Sequence, residues 1–154
     1  QYLRHLYLDK DLSEGRYPVD GKPVELNDIA VPMFCVATET DHVAPWHSVF
    51  KVHHLFTDEV TFVLTNGGHN AGIVSEPGHP GRSYRTLVRP REAPTLAAET
   101  RLSRAQHNEG SWWPAWTQWL DAHSGSPQSP PRMGLPGRRE KSLPPAPGHY
   151  VMQK

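Results

Sequence analysis

Apolar positions along the chain switch between two periods, and the switches mark its elements. Residues 1–10 carry Leu3, Leu6 and Leu8 among polar neighbours and predict a short helical end. Arg16-Tyr17-Pro18-Val19 and Lys22-Pro23-Val24-Glu25-Leu26 flank Asp20-Gly21, a favoured two-residue hairpin turn. Ile29 to Ala37 is an apolar, valine-containing run without charge and reads as a buried strand, ended by Thr38-Glu39-Thr40-Asp41. Pro45 suits the first turn of a helix, along which Trp46, Val49, Phe50, His53 and His54 recur at helical spacing. Val60 to Leu64 is a second β-branched strand, broken by Thr65-Asn66-Gly67-Gly68. Residues 70–95 read as a Gly/Pro-rich loop and residues 95–107 as a helix. Ser111 can cap a further helix, in which Trp112, Trp113, Trp116, Trp119 and Leu120 are spaced to form one apolar face. Such a face is more often packed into a core than offered to solvent. From Ser124 onward apolar periodicity stops, so residues 124–154 read as a tail behind a folded unit of residues 1–123.

Strand, helix, strand with a helical crossover implies parallel neighbours in one sheet. The fold class predicted is therefore α/β. An acid just past the first strand and a histidine just past the second is the arrangement at the end of an α/β-hydrolase, where the chain order is nucleophile, acid, histidine. The chain thus reads as the C-terminal portion of such a fold.

Composition narrows the functional classes. The 16 prolines and 12 glycines against 36% hydrophobic residues imply many turns and a tail that cannot bury enough apolar surface to order itself, residues 124–143 above all. Lys plus Arg equals Asp plus Glu at 16 each, so no basic excess points to nucleic acid. No stretch approaches the roughly 20 apolar residues of a membrane span. Gln1-Tyr2-Leu3-Arg4 is not followed by the apolar core of a signal peptide, and without an initiator Met the chain reads as cut from something longer. One cysteine, Cys35, excludes an internal disulfide framework and fits a reducing cytoplasm.

Asp41 and His69 are the residues that can carry chemistry. Positions beyond strand ends are where open α/β sheets place their sites. An Asp accepting the imidazole N–H fixes the tautomer and stabilises the imidazolium, so the ring can take a proton from a nucleophile. Following adjacent parallel strands, the two should come within hydrogen-bonding reach. The plainer alternative is a turn Asp and a loop His, both common. His42, beside the acid, could line the site or simply bond a carbonyl. His47, His53 and His54 lie on the predicted helix, but His42 with His47 is the nearest approach to metal-ligand spacing and no cysteine pair supports it, so no metal is expected. Cys35 sits inside a predicted strand and reads as a small hydrophobe rather than a nucleophile. No Gly-x-Ser-x-Gly or Gly-x-Cys-x-Gly elbow occurs.

Four segments resemble one family, the class I polyhydroxyalkanoate synthases. Tyr2-Leu3-Arg4 with Tyr7-Leu8 resembles the segment before that family's small hairpin. Asp41-His42-Val43-Ala44-Pro45-Trp46 is similar to its Asp-His-Ile-Val-Pro-Trp acid motif, and Gly68-His69-Asn70-Ala71-Gly72-Ile73 to its Gly-His-Ile-Ala-Gly-Val histidine motif. Gly110-Ser111-Trp112-Trp113-Pro114 with Trp116, Trp119 and Leu120 resembles its tryptophan signature, far more specific than any Asp/His pair. The ending Pro145-Ala146-Pro147-Gly148-His149-Tyr150-Val151 also resembles the family's. Asn70 departs from the pattern, which has an apolar residue there, and residues 75–85 and 124–143 follow no alignable pattern.

The resemblance implies a homodimeric acyltransferase at the surface of cytoplasmic polyester granules. It polymerises 3-hydroxyacyl-coenzyme A, releasing coenzyme A, and needs no cofactor beyond that substrate. It implies His69 as the base for a chain-carrying cysteine, Asp41 as the acid, and that cysteine upstream of residue 1, so the chain alone should lack activity. Acyl chain length is left open. Two other readings stand beside this one. An esterase or polyester depolymerase would use the same acid and histidine with an upstream serine, though the tryptophan signature speaks against it. A non-catalytic module would bind granules, membranes or a partner through exposed tryptophans.

Overall fold

A computed structural model describes residues 1–131 and 145–153. They fall into two compact units, Gln1–His123 and Ser124–Lys154.

The first unit begins with a wide helical turn, Arg4–Leu8, and a hairpin of β1 (Tyr17–Val19) and β2 (Lys22–Val24). Asp20 and Gly21 both take positive φ, 49° and 76°, as a two-residue turn matching strand twist demands. Among the described residues the main sheet has four strands in the order β3 (Met33–Thr38), β4 (Val60–Thr65), β5 (Ser83–Arg89), β6 (Gln106–Glu109). β3 and β4 are parallel, with Thr38 level with Thr65, and the crossover is helical: α1 (Trp46–Phe50) and α2 (Val52–Leu55). Pro45 precedes the first helical residue, as expected of a residue with no amide proton to leave unpaired.

Alternation along the strands divides the side chains between two faces. Ala37, Phe62 and Leu64 meet Phe50 in the core, with Cys35, Trp46, Val49, Val52 and Leu87 around it. On the other face Phe34 lies against Trp112 and Trp119, with ring centroids 6.3 and 5.7 Å apart. β4 is buried along its whole length. β3 is buried only at Ala37 and Thr38, because among the described residues it has a strand on one side alone; the sequence reading of Ile29–Ala37 as a buried strand is corrected to that extent.

Residues 70–95 are not one long loop. They contain α3 (His69–Ile73) at their start and β5, which pairs antiparallel with β4 from Val60↔Arg89 to Thr65↔Tyr84. Residues 95–107 hold the short α4 (Ala98–Leu102) and the start of β6, which adds antiparallel to β5. The sheet is therefore mixed rather than all parallel. The predicted tryptophan helix is present as α5 (Trp113–His123). Its apolar face is packed in part: Trp112 is buried and Trp113 and Trp119 are half-buried, while Trp116 and Leu120 are exposed.

In the second unit the described residues are nearly all exposed and include one 3-10 turn, Tyr150–Met152. The expectation of poor order over 124–143 concerns mostly residues 132–143, which lie outside the described residues. No helix of the described residues is long and apolar enough to cross a membrane.

Candidate functional site

Parallel pairing of β3 and β4 delivers both strand ends to the same edge, and the backbone pairing continues past them. Glu39 N–H donates to Thr65 O at 3.0 Å and Thr40 N–H to Gly67 O at 3.1 Å. The turn bearing Asp41 is thus tied to the turn leading to His69. Gly67 takes φ +90°, which only glycine adopts without strain. Gly72 is buried against Thr38: a Cβ there would overlap the Thr38 Cγ2 methyl and come 3.0 Å from Asn66 O. Asn66 ties the Gly turn to β5, donating from Nδ2 to Gly81 O at 2.7 Å and accepting from Ser83 N–H at 3.2 Å.

These constraints bring Asp41 and His69 together. His69 Nδ1 lies 2.9 Å from Asp41 Oδ2. An ionised carboxylate only accepts, so Nδ1 carries the proton and Nε2 is the acceptor. The His69 side chain is 51% exposed and that of Asp41 8%. The remaining lone pairs of the carboxylate are used locally. Oδ1 accepts the backbone N–H groups of Val43 at 2.8 Å and Ala44 at 2.9 Å, and Oδ2 also accepts from Thr38 Oγ1–H at 3.4 Å. The Ala44 N–H, followed by His69, holds the Asp41 carboxyl down at about 2, against a smaller opposing effect of burial. Asp41 is therefore ionised at neutral pH and positioned to orient the ring and stabilise its charged form. Thr38 and Asn66 support this arrangement, and nothing in their spacing singled them out in the sequence.

The other candidates make no hydrogen bond to the pair among the described residues. His42 is exposed, and among the described residues no hydrogen bond ties it to Asp41 or His69. His47 is turned to Glu99, Nε2 to Oε1 at 3.0 Å. His53 is buried in the core between Phe50 and Phe62. Cys35 lies within β3 facing the core, and burial pushes its thiol up to about 11, which disfavours the nucleophilic thiolate. His5, Asp9 and Asp11 form a cluster of metal-type ligands that the sequence reading missed. It is already occupied internally: His5 Nδ1 bonds Asp11 at 2.7 Å, Arg4 pairs with Asp9 at 3.3 Å and Arg16 with Asp11 at 3.3 Å.

No protein-family model matches the chain. Curated relatives do. It is 36% identical over 154 residues to the poly(3-hydroxyalkanoate) polymerase subunit PhaC of Rhizobium etli, covering 99% of this chain and 23% of that protein. It is 36% identical over 154 residues to the subunit of the same name from Cupriavidus necator, covering 99% and 25%. It is 38% identical over 159 residues to the poly(3-hydroxyalkanoate) polymerase of Methylorubrum extorquens, covering 99% and 24%. The chain spans about a quarter of the length of these relatives.

Proposed function

Since the chain is homologous to the C-terminal region of poly(3-hydroxyalkanoate) polymerases, we propose that it supplies the acid and the histidine of a Cys-His-Asp triad in such an enzyme. The parent is an acyltransferase that polymerises 3-hydroxyacyl-coenzyme A to polyester, and its cysteine lies in the part of the parent outside this chain. The observation that carries this reading is the Asp41–His69 pair, 2.9 Å apart, at the shared edge of two parallel strands. That placement supports an α/β-hydrolase-like frame, to which β5 and β6 add antiparallel strands.

His69 Nε2, the unprotonated nitrogen, takes the proton of the cysteine thiol as its sulfur attacks the thioester carbonyl, and passes that proton to the coenzyme A thiolate as it leaves. Asp41 stays ionised and stabilises the imidazolium formed in that step. Free again, the same nitrogen can accept the proton of the 3-hydroxyl of the next unit as that oxygen attacks the enzyme-bound thioester, and return it to the cysteine thiolate that is expelled. Substrate and growing polyester are the partners this assigns, and a homodimeric parent at the surface of cytoplasmic granules is the setting that accompanies it. Residues 1–123 are then the end of the catalytic domain and residues 124–154 its tail.

The chain alone should lack polymerase activity. Incubated with 3-hydroxybutyryl-coenzyme A, it should release no free thiol beyond a Cys35→Ala control, whereas the parent polymerase does. Sustained release by the chain, lost on Cys35→Ala, would move the nucleophile inside it and overturn the assignment.

A further inference from the structure

His69 does not sit on an element that holds itself in place. α3 has five residues, far below the length at which a helix stands alone in water. Its first residue, His69, takes φ +41°, a conformation that a non-glycine residue keeps only where its surroundings enforce it. The last carbonyls of a helix have no partners within it. At the end of α3 and just beyond it, the carbonyls of Gly72, Ile73 and Ser75 are met by side chains of one segment, the one that opens α5.

Trp112 Nε1–H donates to Gly72 O at 3.3 Å, and Trp113 Nε1–H donates to Ile73 O at 3.0 Å. Ser111 Oγ–H donates to Ser75 O, and the same oxygen accepts the Trp113 backbone N–H at 3.0 Å. Two consecutive indoles and a hydroxyl thus close on three carbonyls within four residues of α3 and its exit. Trp112 is held for this by Phe34. Trp119 offers a contrast on the same helix: it also packs on Phe34, but its buried Nε1–H has no partner among the described residues.

We infer that Ser111, Trp112 and Trp113 are positioning residues that clamp α3 and so keep the His69 ring against Asp41. The indole and hydroxyl donors do this, not only the packing of the rings. The catalytic consequence rests on the function proposed above; the structural consequence does not.

The test uses the parent polymerase with Trp112→Phe, Trp113→Phe and the two combined, which keep an aromatic ring and remove the donor. Trp119→Phe is the control, since it makes the same change where the donor bonds nothing. Hydrogen exchange is read on the peptide covering 69–75. It should quicken by roughly three- to tenfold in either single variant, the worth of one hydrogen bond, and further in the double. kcat should fall in the same order with KM unchanged within about twofold, as expected when geometry rather than substrate binding is lost. Trp119→Phe should lower the melting temperature without changing exchange at 69–75 or kcat. If the double variant does not fold, the singles decide. Unchanged exchange over 69–75 in both singles, or an equal effect of Trp119→Phe, would overturn the clamp. Intact turnover after His69→Gln would instead sink the catalytic reading, while the exchange measurement would still decide whether the clamp exists.

Discussion

His53 sets how the fold responds to mild acid. It is 1% exposed, its ring lies 4.4 Å from that of Phe50 and 5.6 Å from that of Phe62, and neither ring nitrogen has a partner among the described residues. Burial first, then the charges of Arg101 and Arg89 and the neighbouring His54, lower its pKa from 6.5 to about 4. The unfolded chain therefore binds a proton at higher pH than the folded one. Stability contributed by the neutral ring is complete above the unfolded value and is lost as pH falls from there toward the folded value. Between about pH 6.5 and pH 5 the slope is about 1.4 kcal/mol per pH unit, so roughly 2 kcal/mol disappears. The carboxylates with lowered values, Asp11, Asp41, Glu76 and Glu99, keep their contribution above the ordinary carboxylate range and lose it as pH falls through that range and below. Those carboxylates therefore leave the window above about pH 5 to the loss from His53, which substitution tests. Urea unfolding of the chain across this range should show that loss. His53→Leu should unfold within about 1.5 kcal/mol of wild type near pH 7.5 and stay level down to about pH 5. A wild-type chain whose stability is flat over this window, or a variant that declines in parallel with it, would refute the reasoning.

Two further predictions come from packing. Gly72→Ala should destabilise by about 1–3 kcal/mol and speed exchange in α3, because its methyl would overlap Thr38; a neutral effect on urea unfolding would show that the turn has room to shift. Cys35 should react with a thiol reagent slowly in the native chain and fast in urea, since its thiol is held up at about 11 by burial; equal rates in both states would contradict its place in the core.

What the sequence disclosed was local, and what it hid was long-range. Asp20-Gly21 specifies its own turn, and the run Val60–Leu64 is β-branched and carries no charge, so a hairpin and a second strand could be read directly, though not that this strand would be buried along its whole length. The placement of Asp41 and His69 needed only two strands and their direction. β5 was hidden because Arg85 and Arg89 share a face with Leu87, and arginine reads as surface. Arg89 is buried nonetheless, its guanidinium donating to Phe56 O and Asp58 O at 2.7 Å each. β6, Gln-His-Asn-Glu, has no apolar alternation at all and is a strand only because β5 lies beside it. The tryptophans announced a helix, but not that two of their indoles would be spent on the carbonyls of α3.

If Asp41 and His69 do the proton chemistry of the parent polymerase, turnover of substituted parent enzymes shows it most directly. Coenzyme A release from 3-hydroxybutyryl-coenzyme A should fall by roughly 10²–10⁴-fold or more in His69→Gln, the contribution of a general base. Asp41→Asn should be comparably severe, since it removes the charge and favours the wrong tautomer. His42→Gln should cost much less, and Cys35→Ala should stay near wild type per folded molecule. A folded parent that keeps most of its turnover after His69→Gln, or loses it after Cys35→Ala, would contradict the assignment of the pair.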